Sequence, residues 1–295
     1  MFSSFWGWVR ANQPVSTTGA ISHTYYWLTS LMSGDIVYRN PNFKTPETSD
    51  PSLRKGVAIY CVHGTGDQPG AFVRIIERLI KKGLPDHISS IHSVGFEHRY
   101  QGKGIKFFAK ELIEKIKTNG HEHVILIGHS RGGLVISQAA EFLAEESGIH
   151  VHSLFPICAP YKGSAWAMKP LTLVSTSVAQ MEPEAAILHK LNEAISNSTK
   201  EYNFIGVDND GLVTTDSSYV DNYVKKNPGA SKIFDRHGHL SVMSSWRLVD
   251  HIYQGILAVG RRLFPDMAKE KNVREEATQG ELFPDDEFYK IEPNS

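Results

Sequence analysis

Gly128-His129-Ser130-Arg131-Gly132 sets a serine between two glycines, directly after the apolar run His123 to Ile127 and directly before a helical pattern. A serine on so sharp a strand-to-helix turn projects its hydroxyl above the sheet. Side chains two residues away on either side would collide, which selects glycine at 128 and 132. The chemistry that fits is nucleophilic attack on an acyl carbonyl, with the Arg131 backbone N–H, at a helix N-terminus, facing the tetrahedral oxyanion. A second donor is expected from His63-Gly64-Thr65-Gly66, the loop that leaves the apolar run Gly56 to Val62, and the Thr65 amide is the candidate. The same glycines can be read through Gly70 as a dinucleotide loop, but the third glycine falls one residue late and Pro69 intrudes.

A serine hydroxyl is a poor nucleophile at its normal pKa, so a base must be found further along the chain. Asp235-Arg236-His237-Gly238-His239-Leu240 follows the last expected strand. His239 is the candidate base, because it directly precedes a long helix and follows the flexible Gly238; His237 is read as a surface histidine. A metal reading of His237-x-His239 with Asp235 needs that aspartate as third ligand, and no other motif supports it. The run Tyr202 to Val207 ends in Asp208-Asn209-Asp210, so either carboxylate stands where it can accept the imidazole N–H and fix its tautomer.

These residues need a scaffold that brings strand ends together, and the periodicity supplies one. Apolar runs at Gly56 to Val62, Ile88 to Phe96, His123 to Ile127, Val151 to Ile157, Tyr202 to Val207 and Lys232 to Phe234 read as strands. Between them, Phe72, Ile75, Ile76, Leu79 and Ile80, then Ile105, Phe108, Leu112 and Ile116, then Val135, Ala139, Phe142 and Leu143 recur at helical spacing. A last helix carries Val242, Trp246, Val249, Tyr253, Ile256 and Leu263 on one side. Apolar strands alternating with amphipathic helices predict an α/β fold with a mostly parallel central sheet covered on both faces. The pattern loosens at about 163–200, around Met168, Leu171, Leu173, Met181 and Leu188, which is read as a lid insertion.

With 295 residues and 41% hydrophobic content, one large domain over 56–264 is expected. It is preceded by an aromatic segment (1–55) packing on or beside the core and followed by a flexible acidic tail (265–295). Phe2, Phe5, Trp6 and Val9 fall at helical spacing and suit either packing onto the core or peripheral membrane contact. Lys+Arg 31 against Asp+Glu 32 gives no basic field for nucleic acid. Cys61 and Cys158 lie in apolar runs and read as small core residues. No stretch reaches the roughly 20 apolar residues a spanning helix needs, and no secretory signal is recognised, so a cytoplasmic location is the default expectation. No metal or cofactor is expected.

At these motifs the sequence resembles the α/β-hydrolase lipases, especially bacterial true lipases and the GPI-inositol deacylase-like group. The likeness runs from about Gly56 to Phe264 and includes the His63-Gly64 loop, the GHSRGG elbow, Ala159 to Ser164, and the stretch from Met181 to Asn192. Asn209-Asp210-Gly211-Leu212-Val213 followed by Ser217-Ser218 is similar to the acid loop of those lipases. That makes Asp210 the implied acid and Asp208 the reserve. His239-Leu240 matches their catalytic histidine and the leucine after it. Two positions depart: Ser241 stands where many of them carry a calcium-binding aspartate, and Tyr161 replaces a histidine.

The resemblance implies an α/β-hydrolase that cleaves carboxylic, lipid-like acyl esters through an acyl-enzyme on Ser130. His239 is then the base, Asp210 its orienting carboxylate, and the Thr65 and Arg131 amides the oxyanion donors. A thioesterase or an acyltransferase would use the same residues. A non-catalytic binding module on the same fold is the alternative of another class. The acidic C-terminus is also similar to the translocation signals of bacterial effectors, although a solvated linker explains it as well.

Overall fold

The computed structural model describes residues 24–26, 28–30, 34–98, 101–164 and 175–265. The seven strands are β1 (Ile36–Arg39), β2 (Val57–Val62), β3 (Ile88–Val94), β4 (His123–His129), β5 (His150–Ile157), β6 (Phe204–Val207) and β7 (Ser231–Phe234). They form one sheet in the order β1-β3-β2-β4-β5-β6-β7, parallel throughout except for the antiparallel pairing of β1 with β3. The six longer helices are α1 (Val73–Lys82), α2 (Ile105–Thr118), α3 (Arg131–Phe142), α4 (Ala186–Ser196), α5 (Asp221–Lys226) and α6 (Trp246–Leu263).

Strand β2 shows why the sheet must be covered twice. All six of its residues are buried, with Ala58, Tyr60 and Val62 on one face and Val57, Ile59 and Cys61 on the other. The first set joins a core completed by Phe108 and Leu112 of α2, Leu134 of α3 and Leu188, Leu191 and Ile195 of α4. The second joins Ile75 and Leu79 of α1 with Ile252 and Ile256 of α6. Each such aliphatic side chain contributes roughly 1.5–3 kcal/mol when buried, so the apolar central strands hold both layers at once.

The chain leaves β2 toward β3 on one side and later returns past β2 to β4 on the other. The crevice between the C-terminal ends of β2 and β4, where Val62 pairs with Gly128, is therefore a topological switch point, the place where open α/β sheets gather ligands. That geometry makes neighbours of the loop after β2 and the turn after β4.

Several elements differ from the sequence reading. Strand β1 lay unrecognised in the first 55 residues, because its residues alternate between exposed and half-buried at the sheet edge and give no apolar run. Strand β3 stops at Val94, two residues early, although Phe96 stays buried. Val242 belongs to a short 3-10 turn, and α6 starts at Trp246, where extended Ser245 caps the helix by accepting from the Leu248 N–H. Trp246 and Ile80 lie more than a third exposed, so neither is a core position.

Helix α4 belongs to the core layer, although its residues fell within the expected lid. Met168, Leu171 and Leu173 of that segment, the aromatic stretch Phe2 to Val9, and the acidic tail from residue 266 lie outside the described residues. Of the N-terminal segment, Tyr26 donates a hydrogen bond to Glu77 (2.9 Å) and Ser30 accepts one from the Gly70 amide (3.1 Å).

Candidate active site

The turn between β4 and α3 is a strained elbow. Ser130 sits at φ 54°, ψ −125°, a region L-residues avoid, and is held there by its N–H donating to Ile157 O (2.8 Å) and its carbonyl accepting from Gly133 N (2.9 Å). The flanking glycines are required by contact. A Cβ on Gly128 would lie 2.4 Å from Gly132 O, and one on Gly132 would lie 2.1 Å from Val62 O. Such strain persists only where the surroundings over-determine it, as they do at functional sites.

At the far end of the sheet, the loop after β6 carries Asp210 and the loop after β7 carries His239. His239 Nδ1 donates to Asp210 Oδ2 at 2.7 Å, and Asp210 Oδ1 accepts the Leu212 and Val213 amides, each at 2.9 Å. Burial alone would raise the Asp210 pKa. The hydrogen bond from His239, its charge, and the two backbone amides outweigh that and hold the carboxyl below its ordinary value. Asp208 is exposed, and its carboxylate accepts from the neighbouring Asn209 side chain (3.0 Å) with no bond to a histidine among the described residues, so the two carboxylates are separated by geometry.

Because Nδ1 is bound to Asp210, the Nε2 of His239 is the nitrogen left to act on a second group. Ser130 and His239 line one cavity of about 200 Å³, whose walls also include Thr65, Asp67 and His129. No hydrogen bond joins the Ser130 hydroxyl to His239 among the described residues. Such bonds often tighten only when substrate binds. His129 supports the ring: its Nε2–H donates to the His239 carbonyl (2.9 Å), and the two imidazoles lie 4.7 Å apart.

Thr65 stands on the same cavity wall, and its N–H makes no hydrogen bond among the described residues, so it is free for an incoming acceptor. The Arg131 amide opens α3 beside Ser130. Apart from Gly64 and Ser164, the rest of the wall is apolar: Pro160, Val178, Met181, Leu212, Val213 and Leu240. Such a lining suits a hydrocarbon chain better than a polar peptide.

His237 is buried, contrary to its reading as a surface residue. Its Nδ1–H donates to Asp235 O (2.6 Å), and its Nε2 pairs with Ser245 Oγ (2.9 Å), the residue that caps α6, so it braces the loop that carries His239. Both its nitrogens are engaged, and the Asp235 carboxylate turns outward to Arg247 (2.6 Å), so these residues do not assemble as ligands. The described group with metal-ligand spacing is Cys158, Asp210 and His239, whose donor atoms lie within 4.8 Å of one another. Asp210 and His239 are already bonded to each other there. Cys158 is fully buried, and burial pushes its thiol well above the ordinary range.

Ser241 closes the histidine loop, accepting from Gly238 N at 2.8 Å. Tyr161 is buried against α3, its hydroxyl 2.7 Å from Ser137 Oγ, and so is a packing residue. The side chain of Arg131 is a feature the sequence reading missed. Only its backbone was considered, yet the residue is 2% exposed and its guanidinium donates to the Gly64 carbonyl. A permanently charged residue inside the buried strand-to-helix turn was the available signal.

A family model described as lecithin:cholesterol acyltransferase matches residues 65–201, a little under half of the chain. Comparison with curated proteins finds no match. Among solved structures, a lipase of Bacillus licheniformis in its mature form is 15% identical, with a TM-score of 0.51, covering 75% of this chain and 98% of that one. A monoacylglycerol lipase of Paleococcus ferrophilus is 12% identical, with a TM-score of 0.52, covering 77% and 100%. A gene product of Listeria innocua is 16% identical, with a TM-score of 0.51, covering 67% and 92%. The chain has the α/β-hydrolase fold. No described helix is long and apolar enough to cross a membrane.

Proposed function

We propose that this chain is a serine hydrolase that cleaves lipid-like carboxylic esters through an acyl-enzyme on Ser130. The observation that carries the reading is Ser130, strained on its elbow, sharing one cavity with an imidazole whose far nitrogen is locked to Asp210.

In this mechanism His239 Nε2 takes the Ser130 proton as Oγ attacks the acyl carbonyl. Asp210 keeps the other nitrogen protonated and stabilises the imidazolium that forms. The Thr65 and Arg131 amides receive the oxyanion, each such donor being worth about 10²–10³ in kcat. His239 then protonates the departing alcohol, and water, activated by the same imidazole, releases the acid. The apolar wall from Pro160 to Leu240 takes the acyl chain, which favours an ester of a fatty acid over a small polar one. Lipid surfaces are the natural source of such a substrate.

Transfer of the acyl group to an alcohol other than water is a second reading, favoured by the match to the acyltransferase family model. It differs only in what attacks the acyl-enzyme. The test is a panel of p-nitrophenyl esters of graded chain length, phospholipids and acyl thioesters, each with and without a long-chain alcohol acceptor, for wild type and Ser130→Ala. Ser130-dependent release of free fatty acid supports hydrolysis, and acceptor-dependent ester formation supports transfer. No turnover with any substrate leaves a binding module on this fold.

A further inference from the structure

The Arg131 side chain does something that its position beside the nucleophile does not require. Its guanidinium is 2% exposed, lies 4.5 Å over the Phe108 ring of α2, and donates from Nη2 to the Gly64 carbonyl at 3.3 Å. That carbonyl also accepts from His63 Nδ1 (3.0 Å) and, more distantly, from the Asp67 amide (3.4 Å). Asp67 is itself buried on the same loop, and its charge partly offsets the burial that lowers the Arg131 pKa to about 10. A side chain of this cost in desolvation is retained where its charge is used.

Gly64 O and Thr65 N–H are the two ends of one peptide group. In a trans peptide they point in opposite directions, so fixing the carbonyl fixes the amide. Gripping Gly64 O from behind therefore aims Thr65 N–H into the cavity. It also polarises the group, because a hydrogen bond accepted at C=O strengthens the donor at N–H. Glycine at 64 lets this peptide sit close to the nucleophile: a Cβ there would lie 3.2 Å from Ser130 Cβ, a tight contact that one of the two would have to relieve.

We propose that the Arg131 guanidinium is a positioning residue for the oxyanion hole: it orients and polarises the Gly64–Thr65 peptide while its own backbone amide supplies the second donor. The proposal rests on the catalytic reading above. One residue thus serves both halves of the hole, and the Phe108 ring packs against the guanidinium. The charge sits behind the peptide and never touches substrate, so its effect must fall on the transition state and leave ground-state binding nearly unchanged.

The test compares wild type with Arg131→Met, Arg131→Lys and Phe108→Leu, each checked for folding by thermal denaturation. The measurements are kcat and KM on one ester, and affinity for an alkyl boronic acid, whose tetrahedral adduct with a serine oxygen is an anion that places a boron-bound oxygen where the oxyanion would sit. Arg131→Met is expected to lose about 10- to 100-fold in kcat and in boronate affinity, less than deletion of a direct donor, with KM changed under about 3-fold. Arg131→Lys should fall between Met and wild type, and Phe108→Leu should show a smaller loss of the same kind. If Arg131→Met does not fold, the lysine and Phe108 variants decide the matter by the same split. A folded Arg131 variant with unchanged kcat and boronate affinity, or one that changes KM alone, overturns the proposal. A wild type that never reacts at Ser130 overturns the catalytic reading itself, which the variants cannot do.

Discussion

Replacing Asp210 by asparagine is the perturbation whose consequence can be worked most fully from the site. Oδ1 accepts two backbone amides at 2.9 Å, and Oδ2 accepts His239 Nδ1–H at 2.7 Å. In Asp210→Asn the side-chain oxygen stays with the two amides, because they are donors, and the NH2 group turns to His239. Nδ1 must then accept, so the imidazole proton moves to Nε2, the nitrogen that has to take the Ser130 proton. The fold is kept and the base is lost. A wrong-tautomer substitution of this kind costs about 10⁴ in kcat, about 5.4 kcal/mol of transition-state stabilisation.

Asp208→Asn alters an exposed carboxylate and should stay within about 2-fold of wild type. The assay is initial-rate ester hydrolysis at saturating substrate, with thermal denaturation as the folding control. Because the Asp210 carboxyl is held below its ordinary value of 3.8, it stays ionised from about pH 5 upward, and the gap between the variants should persist there. A folded Asp210→Asn retaining more than a tenth of the activity, or an equal loss in Asp208→Asn, would refute the assignment of the acid.

Three further outcomes are expected. Gly132→Ala drives a Cβ to within 2.1 Å of Val62 O. It should destabilise by at least about 1–3 kcal/mol in chemical denaturation, whereas Gly34→Ala, with open space around its site, should not. Ser137→Ala leaves the buried Tyr161 hydroxyl without its 2.7 Å partner and should cost about 1–3 kcal/mol of stability with kcat unchanged.

Stability should also fall in acid. Burial, followed by His123, Arg262 and His150, lowers His152 from 6.5 to about 3; burial and His121 lower His92 to about 4. A histidine with a folded pKa below its unfolded value binds fewer protons folded than unfolded between the two. Its contribution is therefore complete above pH 6.5 and is lost as pH drops toward 3–4. Thermal melts of wild type and His152→Gln across that range test this: the variant's melting temperature should depend less on pH.

The parts of the molecule legible in sequence were those whose signal is local. The elbow could be read because Gly128, Ser130 and Gly132 stand within one strand-turn-helix stretch; the contact that requires Gly128 lies four residues on at Gly132, whereas the one that requires Gly132 comes from Val62 of the neighbouring strand. The central strands could be read because burial on two faces leaves no polar position in β2. Strand β1 could not, since an edge strand needs no apolar run. Choosing between Asp208 and Asp210 required knowing which carboxylate the loop folds inward, and that depends on the Leu212 and Val213 amides. His237 looked incidental because its partner Ser245 caps a helix eight residues on. Arg131 was read for its amide alone, since nothing nearby in sequence indicates that Phe108 and Gly64 will enclose its side chain.

The most direct measurement is reaction of the protein with a fluorophosphonate, followed by peptide mass spectrometry to locate the adduct. A single covalent phosphonyl group on Ser130, formed rapidly by wild type and at least about a hundredfold more slowly by His239→Ala, is the expected result. An adduct elsewhere, or labelling of Ser130 at the same rate without the histidine, would mean that the imidazole does not activate this hydroxyl.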